Sequence, residues 1–312
     1  MLIIPIAHSK SVKEFPWVTI TLIVVCIAVW FWTLSVHNRV QQRIEAAAQL
    51  LQSALQAAPE DTCTNEEQVW VAMVMDQWAL PTCDLSGERT PDPLVEGALA
   101  ELNDTIQQFP WIRLGYRPKF RTIETMFTSM FMHGGWLHLI GNMLFLWLAG
   151  TVLEDVWGRG KFFGLYLITG CAAVIGQHML TPDSAVPLVG ASGAISGLLG
   201  AILPSARNLE IRIFYFLWIF TFRFYTGTIM VHAWFAIPLW FAVQVFSLFF
   251  GTADGVSYMA HVSGFVAGLA AAWGANRLGW IDFPPPPPGT QPLFGRTKPN
   301  AKLPTFKRHH AD

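Results

Sequence analysis

The feature that most constrains this chain is a set of six apolar stretches, each long enough, or nearly long enough, to cross a lipid bilayer. A transmembrane helix needs about 17 to 25 mainly apolar residues. The stretches are residues 17–36, 135–153, 162–180, 187–203, 229–250 and 258–275, the fourth being the shortest. Backbone polar groups in lipid must be satisfied within their own segment, which favours helices. The pattern therefore predicts an all-α, polytopic membrane protein.

The composition agrees with a membrane protein and excludes other classes. Hydrophobic residues make up 53% of the 312 residues and charged residues only 13%, which excludes a disordered chain and is too apolar for an ordinary soluble domain. The net charge of −1 provides no basic surface of the kind that binds nucleic acid. A shorter apolar run, residues 213–222, is predicted to lie in the membrane interface or to lead into the fifth span.

The distribution of Lys and Arg predicts the orientation in the membrane. Positive residues concentrate in the short loops on the cytoplasmic side. Lys10 and Lys13 precede the first span, and Arg159 and Lys161 separate the second from the third, whereas residues 181–186 and 251–257 contain no Lys or Arg. We therefore expect both termini to be cytoplasmic, in what would be a bacterial inner (plasma) membrane.

Four units follow from the spacing of the spans. Residues 1–36 are the N-terminus and first helix, 37–134 an extracytoplasmic and partly helical insertion, 135–277 the other five helices, and 278–312 a proline-rich basic cytoplasmic tail. Cys63 and Cys83 both lie in the insertion. Because that side of the membrane is oxidising, a disulfide between them is possible.

Polar residues within the spans are the first candidates for function, because each costs several kcal/mol in lipid unless it has a partner. Ser192 and His261 lie about 5 to 8 Å below the same predicted boundary, at 1.5 Å per helical residue. A serine beside a histidine is an activated nucleophile, with the imidazole taking the hydroxyl proton. Depth alone leaves His133, His138 and His178 open as alternative bases.

Glycines follow both Ser192 and His261 at helical spacing. Such small residues let two helix backbones approach closely, which would bring the serine and the histidine within reach of each other. The alternative is ordinary membrane packing, which explains most motifs of this kind. The glycines are Gly193, Gly197 and Gly200 after the serine, and Gly264 and Gly268 after the histidine.

His138 and Asn142 form a third polar group in the same layer. Their separation of four places both side chains on one helix face. Hydrolysis of an amide creates an oxyanion, which an imidazole N–H and an Asn amide can stabilise. The alternative is a role in helix capping and interhelical hydrogen bonding. There is no HExxH motif, and His133 is poorly placed to share a metal with His138, so no metal or cofactor is expected.

These residues together resemble a known family. HGGWLHLIGN contains His133, His138 and Asn142, Glu154 follows, GASG spans Gly190 to Gly193, and AHVSGFVAG ends at Gly268. In this ordered set the chain resembles the rhomboid family of intramembrane serine proteases, of the six-transmembrane-helix type. The resemblance implies that substrates are transmembrane segments of other membrane proteins within the lipid bilayer. It gives no oligomeric state.

The resemblance also assigns roles to the residues. It implies that Ser192 is the nucleophile and His261 the general base, a dyad without an acid. His138, Asn142 and the backbone N–H of Ser192 would form the oxyanion hole, and His133 would support the loop before the second span. Gly190 would allow the turn into the fourth helix.

Two features depart from the family pattern. Many members carry a Trp-Arg pair in the loop before the second span, and the corresponding stretch here, RTIETMFTSMFMH, lacks it. Some members place a tyrosine one turn after the nucleophile to stack on the histidine, and this chain has Ser196 there. Something else must therefore orient His261, with simple packing as one option.

Two other functions stay open as alternatives. A non-proteolytic rhomboid-like protein would bind membrane helices, but such relatives usually lack the serine or the histidine, and both are present here. A small transporter would use His138, Asn142 and His261 as a proton or substrate path, and it predicts an inverted repeat that is not found in the sequence.

Overall fold

The computed structural model describes residues 2–57, 93–206, 208–219, 223–251 and 255–281. Cys63, Cys83 and the proline run lie outside these residues. The described chain is mostly helical. Its helices are α1 (Trp17–Ala57), α2 (Pro93–Gln107), α3 (Pro110–Leu114), α4 (Ile123–Thr128), α5 (Trp136–Trp157), α6 (Arg159–Leu180), α7 (Ser192–Ser205), α8 (Ala233–Phe250) and α9 (Tyr258–Arg277).

Within the described ranges, four helices are long and apolar enough to cross a membrane: α1, α5, α6 and α8. The predicted fourth and sixth spans correspond to α7, which is apolar but has only 14 residues, and to α9. α7 begins at Ser192 rather than at residue 187, because the chain is extended before it and Leu188 exchanges backbone hydrogen bonds with Tyr116. α7 is nonetheless buried along most of its length, in the core of the bundle.

α1 continues far beyond the first predicted span. Its 41 residues would reach about 60 Å, twice the roughly 30 Å of bilayer hydrocarbon. The second half of α1 packs against α2 and forms an apolar cluster that is separate from the main core. This cluster includes Ile44 and Leu51 of α1 and Leu99 and Ile106 of α2. Part of the predicted insertion is therefore a pair of packed helices, the second half of α1 and α2.

A three-stranded antiparallel sheet is present that the all-α prediction omits. It consists of β1 (Leu2–His8), β2 (Glu210–Ile219) and β3 (Arg223–His232), in the order β1-β2-β3. The run predicted to lie in the interface is thus mostly strand β2, and the start of the predicted fifth span is part of β3. Both strands are rich in aromatic and β-branched residues, which favour extended backbone.

Glu154 joins the end of α5 to the start of α1. Its buried carboxylate accepts hydrogen bonds from the backbone N–H groups of Val18 and Thr19, at 2.9 and 2.8 Å, and from the Thr19 hydroxyl at 2.8 Å. A carboxylate at this position satisfies free N–H groups and complements the helix dipole. Lys10 forms an ion pair with the next residue, Asp155, at 2.7 Å.

Candidate active site

Ser192 is the first residue of α7, and the preceding glycine makes this placement possible. Gly190 has a φ of 129°, which residues with a side chain rarely adopt. A Cβ at this position would also lie 2.7 Å from His138 Nε2 and 3.5 Å from Ser192 Oγ. The chain therefore turns from the extended segment into the helix beside the His138 ring.

The glycines of α7 and α9 bring these two helices into backbone contact. A Cβ at Gly264 would collide with the carbonyl oxygen of Gly193, and one at Gly268 with that of Gly197. The hydroxyl of Ser196 adds a hydrogen bond to the carbonyl oxygen of His261. Together these contacts fix the first turn of α9 beside the first turn of α7.

The two first turns open onto a cavity of about 990 Å³ between α5, α7, α8 and α9. Its lining includes Ser192, His261, His138 and Asn142, so the structure brings these four predicted residues together. These four residues are not all hydrogen-bonded to one another. Within the described residues, Ser192 Oγ makes no hydrogen bond to His261. Catalytic hydrogen bonds are often long in ligand-free structures.

The other two candidate bases lie outside the cavity lining. His178 bonds the Tyr116 hydroxyl through Nδ1 at 3.2 Å. His133 is 1% exposed, and its ring lies 5.3 Å from that of His138. Burial lowers the pKa of His133 to about 4, so the ring is neutral near pH 7. The His133 carbonyl accepts a 2.7 Å hydrogen bond from the Trp111 indole, which fixes the loop before α5.

His138 and Asn142 each present an unused donor to this layer. The backbone N–H of Gly134 donates to His138 Nδ1 at 3.3 Å, so a neutral His138 carries its own proton on Nε2, the atom nearest Gly190. The amide nitrogen of Asn142 is buried and has no acceptor among the described residues. A buried donor without an acceptor costs about 1 to 3 kcal/mol, and an acceptor placed beside it would remove that cost.

The comparison with known proteins matches the sequence that carries this site to one family. Residues 121–277, about half of the chain, match the Rhomboid domain. The chain belongs to the rhomboid family. The resemblance seen in the motifs is therefore confirmed, and with its four long apolar helices this rhomboid is an integral, multi-pass membrane protein.

Several rhomboid proteins are similar in sequence. Rhomboid protease GluP of Bacillus subtilis is 30% identical over 202 residues, which cover 63% of this chain and 32% of GluP. Rhomboid-like protease 5 of Toxoplasma gondii is 28% identical over 191 residues, covering 60% and 19% of the two chains. Putative rhomboid protease YdcA of Bacillus subtilis is 36% identical over 78 residues, covering 25% and 39%. The chain thus spans about a third of the length of GluP.

In this rhomboid, one residue that contacts His261, Gln244, was not among the predicted site residues. His261 Nδ1 lies 2.8 Å from the side-chain oxygen of Gln244, on the neighbouring helix α8. Gln244 also lines the cavity. The available signal was a single amide in the run AWFAIPLWFAVQVFSLFF, in which Ser247 is the other polar residue.

Proposed function

We propose that the protein is an intramembrane serine endopeptidase that hydrolyses peptide bonds in or near transmembrane segments of other membrane proteins. The observation that carries this proposal is the pair of free donors, His138 Nε2 and Asn142 Nδ2, in the layer of Ser192. Family membership and the relatives named as rhomboid proteases support it. A serine hydroxyl beside free hydrogen-bond donors supplies the groups that an acyl-transfer site needs, a nucleophile and an oxyanion hole.

The first half of the proposed reaction acylates the serine. His261 takes the proton of Ser192 Oγ as that oxygen attacks the scissile carbonyl, and the carbonyl oxygen becomes an oxyanion. His138, Asn142 and the backbone N–H of Ser192 donate to the oxyanion, the last because the first N–H groups of a helix have no partner within it. The intermediate then collapses, the peptide C–N bond breaks, and His261 gives its proton to the leaving amine.

The second half regenerates the enzyme with water. His261 deprotonates a water molecule as it attacks the ester carbonyl, and the same donors hold the second oxyanion. The C–O bond to Ser192 then breaks, and His261 returns the proton to the serine. The cavity beside α5, α7, α8 and α9 gives water and the unwound substrate strand a route to this depth.

We also propose the arrangement in the membrane. α7 and α9 complete a six-helix rhomboid bundle, both termini are cytoplasmic, and residues 37–134 form an extracytoplasmic insertion in which Cys63 and Cys83 can pair. In support, the cavity lies at the start of α5, whereas β1 contacts its far end through a His8–Thr151 hydrogen bond. The relatives from Bacillus subtilis support a bacterial plasma membrane.

The test is cleavage of a labelled single-pass membrane substrate by purified protein in lipid vesicles. We expect Ser192→Ala and His261→Ala each to lower the rate by at least about 10³-fold, because the nucleophile and base act as a unit. A fluorophosphonate should label the wild type but not Ser192→Ala. Ser263→Ala is the control, since among the described residues that hydroxyl donates to the Met259 carbonyl of its own helix, α9.

Equal cleavage by wild type and Ser192→Ala would reject the assignment. A protein that binds the substrate helix but cleaves it in no variant, and takes up no fluorophosphonate, would instead be the non-proteolytic rhomboid-like protein.

A further inference from the structure

We propose that Gln244 is a positioning residue for the general base, completing a Ser192–His261–Gln244 arrangement in which the amide oxygen fixes the tautomer and orientation of His261. This inference rests on the proposed function and deepens it. It concerns the orientation of the His261 ring. Ser196 stands where some family members have a tyrosine that stacks on this ring.

The first support is the burial of Gln244. α8 has 18 residues, and only Ala233, Ile237 and Gln244 are buried. The spacing of four and seven places them on one face of the helix, directed into the bundle. An amide buried in an apolar membrane helix is costly unless it is hydrogen-bonded. Its hydrogen bond to His261 supplies that partner.

The second support is the direction of the hydrogen bond. An amide oxygen can only accept, so at 2.8 Å the Nδ1 atom of His261 is the donor. A neutral imidazole with its proton on Nδ1 has its lone pair on Nε2. This is the tautomer that a base needs when its free nitrogen faces a serine in the same cavity.

The third support is the chemistry of the proton transfer. When His261 takes the serine proton it becomes cationic, and its bond to Gln244 becomes charge-assisted, which is roughly twice as strong as a neutral one. Gln244 thereby stabilises the imidazolium more than the neutral ring. The described residues that line the cavity include no Asp or Glu to perform this role.

The neighbouring groups leave this role to Gln244. Ser196 donates to the backbone carbonyl of His261 and not to its ring. Trp240, one turn before Gln244, lies 6.2 Å from the His261 ring, and Tyr258 lies 6.4 Å from it at right angles. Apart from His261 itself, the titratable residues on the described cavity lining are Tyr258 and His138, and neither α7 nor α8 contains any.

The kinetic test compares two substitutions of Gln244 in the full chain. Gln244→Met keeps the volume but removes the acceptor, so kcat should fall about 10- to 100-fold, as for other partners that orient a histidine, with KM within about twofold. Gln244→Glu keeps the acceptor, so kcat should return to within a few-fold of wild type. The carboxylate stabilises the imidazolium further, so the acid limb of kcat/KM should move to higher pH.

The matched control is Gln177→Met. Gln177 is a glutamine of α6 whose amide nitrogen donates to the Thr181 hydroxyl at 3.2 Å, away from the cavity. It should retain the wild-type kcat. If Gln244→Met and Gln177→Met have the same kcat, or if Gln244→Glu is as slow as Gln244→Met with no shift in the acid limb, the proposal is wrong.

A second measurement is made on the wild-type protein, and a variant serves only to assign the signal. Nitrogen-15 NMR of histidine-labelled protein, with His261 assigned from its absence in His261→Ala, should show the proton on Nδ1. A proton on Nε2 would overturn the proposal. Ser192→Ala separates the two proposals: if it cleaves substrate, the proposed function fails, whereas an inactive Ser192→Ala with an unaffected Gln244→Met rejects only the role of Gln244.

Discussion

His138 and Asn142 lie one turn apart on α5, and neither His138 Nε2 nor Asn142 Nδ2 has an acceptor among the described residues. The position of the His138 proton follows from a backbone hydrogen bond, because an N–H group bonded to Nδ1 leaves Nε2 as the protonated atom. The two donors are thus set before any substrate arrives. Donors placed in advance cost no reorganisation when charge develops.

Asn142→Leu should lower kcat by about 10²- to 10³-fold, the usual cost of one lost oxyanion donor, and leave KM nearly unchanged. The reason is that the oxyanion exists only in the transition state and the intermediates. Asn276→Leu is the control, since its amide donates to the Ile281 carbonyl at the far end of α9. A raised KM with normal kcat for Asn142→Leu would instead assign Asn142 to substrate binding.

Single residues were predictable where a local pattern carries the chemistry. Polarity and matching depth predict Ser192, His261, His138 and Asn142 as candidate site residues, and the structure places all four on the lining of one cavity. Gln244 has no such pattern. Its contact depends on how α8 is rotated against α9, which is set by packing along both helices and not by neighbours in sequence.

At the scale of secondary-structure elements, the candidate site depends on the close packing of α7 against α9. Backbone carbonyls of α7 occupy the space that side chains at Gly264 and Gly268 would need. Small residues of this kind are a predictable packing signal. The sheet was not predictable in the same way, because a ten-residue apolar run fits either a strand or part of a helix. Its partner strand β1 is also distant in sequence.

Gly268→Ala should destabilise the protein by about 1 to 3 kcal/mol, as overpacking does, because the added carbon meets the Gly197 backbone. The measurement is thermal unfolding in detergent, together with substrate cleavage. Gly274→Ala, on the same helix, is the matched control, because nothing lies within 4 Å of its added carbon. It should be neutral or slightly stabilising, since alanine favours helix. Equal unfolding temperatures for the two variants would contradict the close contact.

At the end of the molecule away from the candidate site, strand β1 contacts both helix α5 and strand β2. His8 of β1 bonds the Thr151 hydroxyl of α5 at 3.0 Å, and β1 pairs with β2. Burial lowers the pKa of His8 from its ordinary value of 6.5. The docked strand therefore favours the neutral ring, and acidification below about pH 6.5 adds a proton to the undocked state first.

Acidification from pH 7 toward pH 5 should therefore loosen β1. Hydrogen exchange of the β1 amides, corrected for the intrinsic pH dependence of exchange, should quicken over this range relative to that of the α7 amides. In His8→Leu, which has no titrating ring, this extra pH dependence should disappear. Its persistence in His8→Leu would assign the effect to another group.

The pairing of β1 with β2 also determines when β1 can form its strand hydrogen bonds during synthesis of the chain. Leu2 lies opposite Phe216, so the partner of the first strand emerges roughly 200 residues later. At translation rates of about 5 to 20 residues per second, β1 waits about 10 to 40 s without its strand partner. Strand β1 is therefore made well before β2, and its hydrogen bonds to β2 form only after that partner has emerged.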